Sequence, residues 1–230
     1  VEGLAILHGP TTSEPLGERG VGNSVSTVVG IAGGSGAGKT TFVRRLLEAL
    51  PPGSTTTLSH DTYYRDLSHL PPDVRASMNF DHPDSLETAL LCDHVDCLRR
   101  GIGVDVPTYD FATHSRSGHT TRAEPTPTLI VEGILILADE RLRSLLGLAV
   151  YIDVEPDARL ARRIQRDIRD RGRSAESVTR QWLETVQPMH DEFVGPSRGH
   201  ADIIVPHGGD NAMAARLLAA YASRQPQERL

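Results

Sequence analysis

Gly33-Gly34-Ser35-Gly36-Ala37-Gly38-Lys39-Thr40 spells G-x-x-x-x-G-K-S/T in full. Glycines at this spacing let the backbone curl closely around phosphate oxygens, so that successive N–H groups point inward. The N-terminus of a following helix adds its partial positive charge. Lys39 supplies a point charge for the β- and γ-phosphates of a nucleoside triphosphate, and the Thr40 hydroxyl is a candidate Mg²⁺ ligand. The second metal-side group, a carboxylate, is expected at the end of a neighbouring strand. Glu132 stands there, directly after Leu129-Ile130-Val131.

A phosphate loop does not identify an acceptor. N-K-x-D, the usual guanine-reading motif of GTPases, is absent from this sequence. Asp61 closes a strand-like run in Ser59-His60-Asp61-Thr62-Tyr63-Tyr64, at the edge where parallel sheets bind ligands. A sugar hydroxyl is a poor nucleophile, and a carboxylate beside it can take its proton during phosphoryl transfer. A phosphate acceptor would need no such base. Asp61 is therefore the candidate general base.

The third chemical feature is the basic stretch from Arg159 to Arg173. At about 100° per residue, Leu160, Ala161, Ile164 and Ile168 share one helical face, with Arg159, Arg162, Arg163, Arg166 and Arg169 on the other. Only Asp167 and Asp170 interrupt the run. Such a face is ordinarily solvated; beside a triphosphate it suits an arginine-bearing lid that closes on the transferring group.

These groups need elements to position them. Thr27 to Ala32 reads as a buried parallel strand, followed by the loop and a helix from Lys39 to Leu50. Further strands are expected at Thr55–Ser59, Leu129–Val131, Leu148–Val154 and Ile203–Val205, with an alanine-rich helix from Asn211. A helix from Ser85 to Arg100 is predicted to start on a capping box of Asp84 and Glu87 and to stop at Gly101. Strands alternating with helices imply an α/β fold, a parallel sheet flanked by helices. Val104 to Phe111 and Thr120 to Arg122 break the alternation and read as an inserted β-hairpin that covers a pocket.

The chain of 230 residues is long enough for one sizeable core. Residues 1–24 lack periodicity and are expected to form a flexible extension, leaving 25–230 as one domain. A net charge of -6 argues against long nucleic acid as partner. No apolar stretch approaches the roughly 20 residues of a membrane span, and Leu4-Ala5-Ile6-Leu7 is too short for the core of a signal peptide. Cys92 and Cys97 fall on different faces of one predicted helix, so neither a disulfide nor a metal pair is expected. A reducing cytoplasm fits.

From about Val28 to the C-terminal helix, the chain resembles the uridine kinase (uridine–cytidine kinase) family, in the wider group that includes phosphoribulokinase. Gly33 to Thr41, Asp61 to Leu67, Asn79-Phe80-Asp81-His82-Pro83-Asp84 and Tyr109-Asp110-Phe111 with His114 and Arg116 carry the likeness. Glu132 to Leu135, Arg166-Asp167-Ile168, Arg171-Gly172-Arg173, Gln181, Pro188-Met189-His190 and Ala201 to Ile204 complete it. The resemblance implies transfer of the γ-phosphate of ATP, or GTP, to the 5′-hydroxyl of uridine or cytidine, with Mg²⁺, in pyrimidine salvage. It implies catalytic roles for Asp61, Lys39 and Arg166, and contact of Gly33 to Thr41, Arg163 and Arg171 with the triphosphate. Thr40 and Glu132 would face the metal. Asp81 and Arg173 would hold the ribose hydroxyls, and Gln181 would lie on the sugar side. Tyr64, Phe80, Tyr109 and Phe111 would wall the base, with Tyr109 and His114 bonding its edge. A homotetramer is implied too. Two departures stand out. His60 precedes Asp61 where many members carry Gln, and Ser85-Leu86-Glu87 replaces the commoner Ala-Phe-Asp.

Overall fold

The computed structural model describes residues 27–223; the extension expected over 1–24 lies outside them. The chain runs through strand β1 (Thr27–Ala32), helix α1 (Lys39–Ala49) and strand β2 (Thr55–Ser59) into a 3₁₀ turn at His60–Tyr63. Helices α2 (Pro72–Ala76) and α3 (Thr88–Arg99) precede a hairpin of β3 (Val104–Asp110) and β4 (Ser115–Ala123). Strand β5 (Thr128–Glu132), helix α4 (Glu140–Leu145), strand β6 (Leu148–Asp153) and helix α5 (Pro156–Arg171) follow. Helix α6 (Ala175–Gln181) passes into π-helical turns at Trp182–Val186 and His190–Val194, before strand β7 (Ile203–Pro206) and helix α7 (Ala212–Ala222).

The main sheet has the order β2-β5-β1-β6-β7, and every pairing is parallel. All five residues of β5 are buried, as expected where helices cover both faces. On one side Phe42, Val43 and Leu46 of α1 meet Val29, Ile31, Ile130 and Val150, with Leu218 of α7. On the other, Leu91, Val95 and Leu98 of α3 pack with Leu58, Leu129, Val131 and the hairpin's Val104 and Val106. Register does the positioning. Glu132 pairs with Ile31 on one flank and with Ser59 on the other. The ends of β1, β2 and β5 are therefore level, and the phosphate loop, Asp61 and Glu132 emerge side by side.

One sequence expectation fails here. The helix expected from Ser85 begins at Thr88, and its capping box does not form. Pro83–Ser85 is a separate 3₁₀ turn, and Leu86 is held extended by an antiparallel bridge to Tyr64. The Arg65 N–H donates to Ser85 O and the Glu87 N–H to Tyr63 O, at 2.9 and 2.8 Å. This pairing keeps residues 85–87 out of the helix, and the Glu87 carboxylate goes to Arg116 instead, at 2.7 Å.

In α5 the arginine face is divided: Arg159 and Arg163 are buried with Asp167 at a spacing of four, whereas Arg162 and Arg169 are exposed, as is Ile168 of the apolar face. The helix packs across the phosphate loop, so polar groups occupy its inner face, and the two terminal nitrogens of Arg159 are buried there without a hydrogen-bond partner among the described residues. Arg159 donates to Val154 O at 3.1 Å and lies over Trp182 at 5.0 Å; Arg163 reaches Ser35.

Candidate active site

Gly38 caps α1 with φ of 92°, a left-handed conformation open to glycine at little cost. A side chain there would also strike Gly209 N at 2.9 Å, because the 206–210 loop backs the phosphate loop. Lys39 Nζ donates to Gly33 O at 3.0 Å and to Gly34 O at 3.4 Å, folded over the loop mouth. Burial lowers its pKa, while the charges of Glu132 and Asp61 pull it back up. Thr40 is exposed on the first turn of α1, and Thr41 is half-buried beside it.

Glu132 is buried and accepts a hydrogen bond from Ser59 Oγ at 2.6 Å. Burial raises its pKa and the neighbouring Asp61 charge raises it further. A carboxylate so held gains from a cation, which is the observation that makes this position fit Mg²⁺. Next to it His60 is fully buried, its Nε2 3.1 Å from Thr88 Oγ1. Gly133 makes room for it, since a Cβ at Gly133 would lie 2.5 Å from His60 Cβ.

Burial pushes the His60 imidazole down to about 4, against an ordinary value near 6.5 in an unfolded chain. Its neutral form is favoured in the fold, so stability is drawn down as pH falls from about 6.5 towards 4, where only the unfolded state takes up the proton. His60→Gln, which is neutral throughout, should abolish about 2 kcal/mol of the loss between pH 7.5 and pH 5. Urea unfolding at both pH values measures it, and equal losses in the two proteins would refute the assignment.

Beside the phosphate loop lies an open cleft, lined by Ser35, Asp61 and Asp81 and by a cluster of aromatic rings. Asp81 is buried; desolvation raises its pKa and the Arg163 charge lowers it. Tyr64 is the hub of the aromatic cluster, with Tyr109 at 5.1 Å, Phe80 at 5.5 Å and Phe111 at 6.5 Å between ring centroids. His114 stacks on Phe80 at 4.6 Å and 15°, at the hairpin tip with φ of 51°. Burial and the charges of Arg171 and Arg173 lower its pKa, which favours the neutral imidazole. The Tyr109 hydroxyl is buried without a protein partner, and burial pushes it up to about 12.

The arginines enter from the opposite wall. Arg163 Nη1 donates to Ser35 Oγ at 2.6 Å and Nη2 to Gln181 Oε1 at 2.9 Å. Arg173 Nη1 donates to the same Gln181 oxygen at 2.6 Å. Arg171 lies over the Phe111 ring at 5.7 Å. With Arg166 these four line the cleft.

Tyr64, Phe80, Asp81, Tyr109, Phe111, His114, Arg173 and Gln181 are thus brought together with Asp61, Arg163, Arg166 and Arg171. Lys39 and Glu132 sit at the loop mouth, coupled electrostatically to Asp61. Sequence reasoning gave no role to Ser59, which fixes Glu132, or to Ile134, which lines the cleft; the strand-end position of both was the available signal. Arg116 was also left without a role. Its Nε donates to Tyr64 O at 3.0 Å and its Nη2 to Glu87 at 2.7 Å, which ties the hairpin to the pocket wall. Arg116→Ala should raise the KM for the acceptor about tenfold with a smaller change in kcat. Steady-state kinetics at saturating ATP decide this, and an unchanged KM would count against the tether.

A complete phosphate loop at the end of the central strand, strand-end carboxylates and an arginine-lined acceptor cleft define a P-loop kinase. The family model described as phosphoribulokinase / uridine kinase matches residues 28–214, and the chain belongs to that family. It is 47% identical over 193 residues to a uridine kinase of Chloroflexus aggregans, covering 84% of this chain and 92% of that protein. A uridine kinase of Geobacillus kaustophilus is 46% identical over the same length, with the same coverage. Among solved structures, D-glycerate 3-kinase from Cryptococcus neoformans shares the fold with a TM-score of 0.53 at 18% identity, over 73% of this chain and 79% of that one.

Proposed function

We propose that the chain transfers the γ-phosphoryl group of ATP to the 5′-hydroxyl of uridine or cytidine, giving UMP or CMP. The observation that carries this reading is the single cleft that joins Ser35 of the phosphate loop to Asp61, Asp81 and a wall of four aromatic rings. Flat aromatic faces suit a pyrimidine base, and the names of the similar uridine kinases support the same substrate.

In this reading Asp81 and Arg173 orient the ribose, and the buried Tyr109 hydroxyl and neutral His114 bond the edge of the base. Asp61 takes the proton of the attacking hydroxyl. Lys39 and the inward N–H groups of residues 33–41 bind the β- and γ-phosphates. Arg163, Arg166 and Arg171 stabilise the charge spread over the transferring group. Thr40 and Glu132 are the residues that would hold Mg²⁺, whose charge offsets that of the phosphates.

Among the described residues no helix is long and apolar enough to cross a membrane. A cytoplasmic setting belongs to the same reading and agrees with two free thiols, Cys92 and Cys97. So does a homo-oligomer: Met213, Leu217 and Tyr221 expose an apolar stripe on α7 that a second copy would cover.

An ADP-release assay with ATP, Mg²⁺ and a panel of uridine, cytidine, adenosine, guanosine and ribulose 5-phosphate tests the reading. Turnover confined to uridine and cytidine is the expected result. Turnover with the sugar phosphate alone would overturn the aromatic base pocket.

A further inference from the structure

Asp167 has no exposed side-chain surface, and its four ion-pair partners are all arginines. Arg166 Nε donates to Oδ1 at 2.8 Å, with Arg171 Nη1 3.6 Å from the same oxygen. Oδ2 faces Arg173 Nη1 at 3.5 Å and Arg163 Nε at 3.9 Å. The main chain of Asp167 takes part as well. Its carbonyl accepts from the N–H groups of Gly172 and Arg173, which ends α5 and sets the direction in which the chain carries Arg173 away. Gln181 joins two of the arginines from the far side, and Arg163 continues to Ser35 of the phosphate loop.

Four guanidinium groups crowded into one wall repel each other, and long arginine side chains lose conformational entropy when they are fixed. A single buried carboxylate at their centre offsets the repulsion. It cannot balance all four, so the set keeps the surplus positive charge that a polyphosphate requires. The cost of burying Asp167 is met by these same ion pairs and by the direct bond from Arg166.

We propose that Asp167 is a positioning residue, whose carboxylate holds Arg163, Arg166, Arg171 and Arg173 converged on the cleft before any phosphate arrives. It touches no substrate and acts through the arginines, so the proposal rests on the reading that they meet phosphate. It makes the lid preorganised rather than assembled by the ligand, which removes an ordering cost from binding and from the transition state.

Asp167→Asn keeps the shape of the side chain and removes its charge. A role limited to charge balance and a positioning role then differ in sign. Removing a negative charge alone strengthens binding of a polyanion, whereas loss of arginine order weakens it. The probe is inorganic tripolyphosphate, titrated calorimetrically, with kcat for ATP and uridine and a thermal melt on the same samples. The expected result, in a variant still folded at the assay temperature, is a Kd raised about tenfold and a kcat lowered about ten- to a hundredfold. Unchanged or tighter tripolyphosphate binding with unchanged kcat would overturn the proposal, including the case in which only the melting temperature falls.

Arg166→Ala is measured alongside. If it leaves kcat unaltered, the phosphate-contact reading itself fails; if it lowers kcat and Asp167→Asn does not, only the positioning proposal fails. Should Asp167→Asn not fold, the unsubstituted, ligand-free protein decides. The Nε–H of Arg166, assigned by NMR with Arg166→Lys, should exchange slowly with solvent, and exchange as fast as that of the exposed Arg44 would overturn the proposal.

Discussion

Asp61→Asn should lower turnover with uridine by about two to four orders of magnitude and leave ATP affinity within about threefold. The side chain stands in the 3₁₀ turn directly after β2 and lines the cleft between the phosphate loop and Asp81. An amide fills the same volume and accepts a hydrogen bond, so the acceptor hydroxyl can still be oriented. It has no capacity to take the proton, and the hydroxyl then attacks as the poorer neutral nucleophile. In the proposed reading ATP binds on the Lys39 side and would lose only a through-space interaction with the carboxylate. Single-turnover kinetics with a separate measurement of ATP binding isolate the chemical step. Near-normal single-turnover rates would remove Asp61 from the reaction.

Lys39→Ala is expected to reduce kcat about a hundred- to a thousandfold, with weakened ATP binding. Lys39 Nζ already lies against the carbonyls of Gly33 and Gly34, half-buried at the loop mouth. Burial opposes its charge, and the carboxylates of Glu132 and Asp61 oppose that effect. Its removal therefore deletes a cation from the phosphate site and also withdraws the charge that lowers the pKa of Glu132. Lys39→Arg should not restore activity, because a planar guanidinium differs in shape from the compact ammonium that the loop encloses. Initial rates and equilibrium nucleotide binding for both variants measure this. A fully active arginine variant would show that charge alone suffices at this position.

The Arg116 tether and the His60 effect on acid stability belong to the same frame from the opposite side. Neither residue is needed to explain the chemistry, yet each fixes an element that carries it. Arg116 joins Tyr64 of the pocket wall to Glu87 before α3. His60 fills the space left by Gly133 and meets Thr88 at the start of the same helix.

Much of this was legible in the sequence wherever the physics is local. A phosphate loop is one continuous segment, and its glycines, lysine and threonine have meaning at that spacing alone. The strands at Thr55–Ser59 and Ile203–Pro206 were recognisable from short β-branched runs, and the α7 cap at Asn211 bonds Ala214 N only three residues away. The hairpin was legible for the same reason, since its alternation and turn residues lie within twenty positions.

What the sequence by itself determined, then, is the α/β order, the phosphate loop and the carboxylates at the strand ends, because each follows from periodicity or from neighbours along the chain. Only the tertiary structure decided the rest. Glu87 left its predicted cap for Arg116 because Leu86 is held extended by Tyr64, a partner twenty-two positions earlier. Helix α5 turned its charged stripe inward because the surface it covers is the polar phosphate loop, where Ser35 accepts from Arg163, with Asp167 one turn further along the same helix. Helical periodicity can group residues on a face; what that face meets, and hence whether charge or hydrocarbon is buried there, is set by the element packed against it.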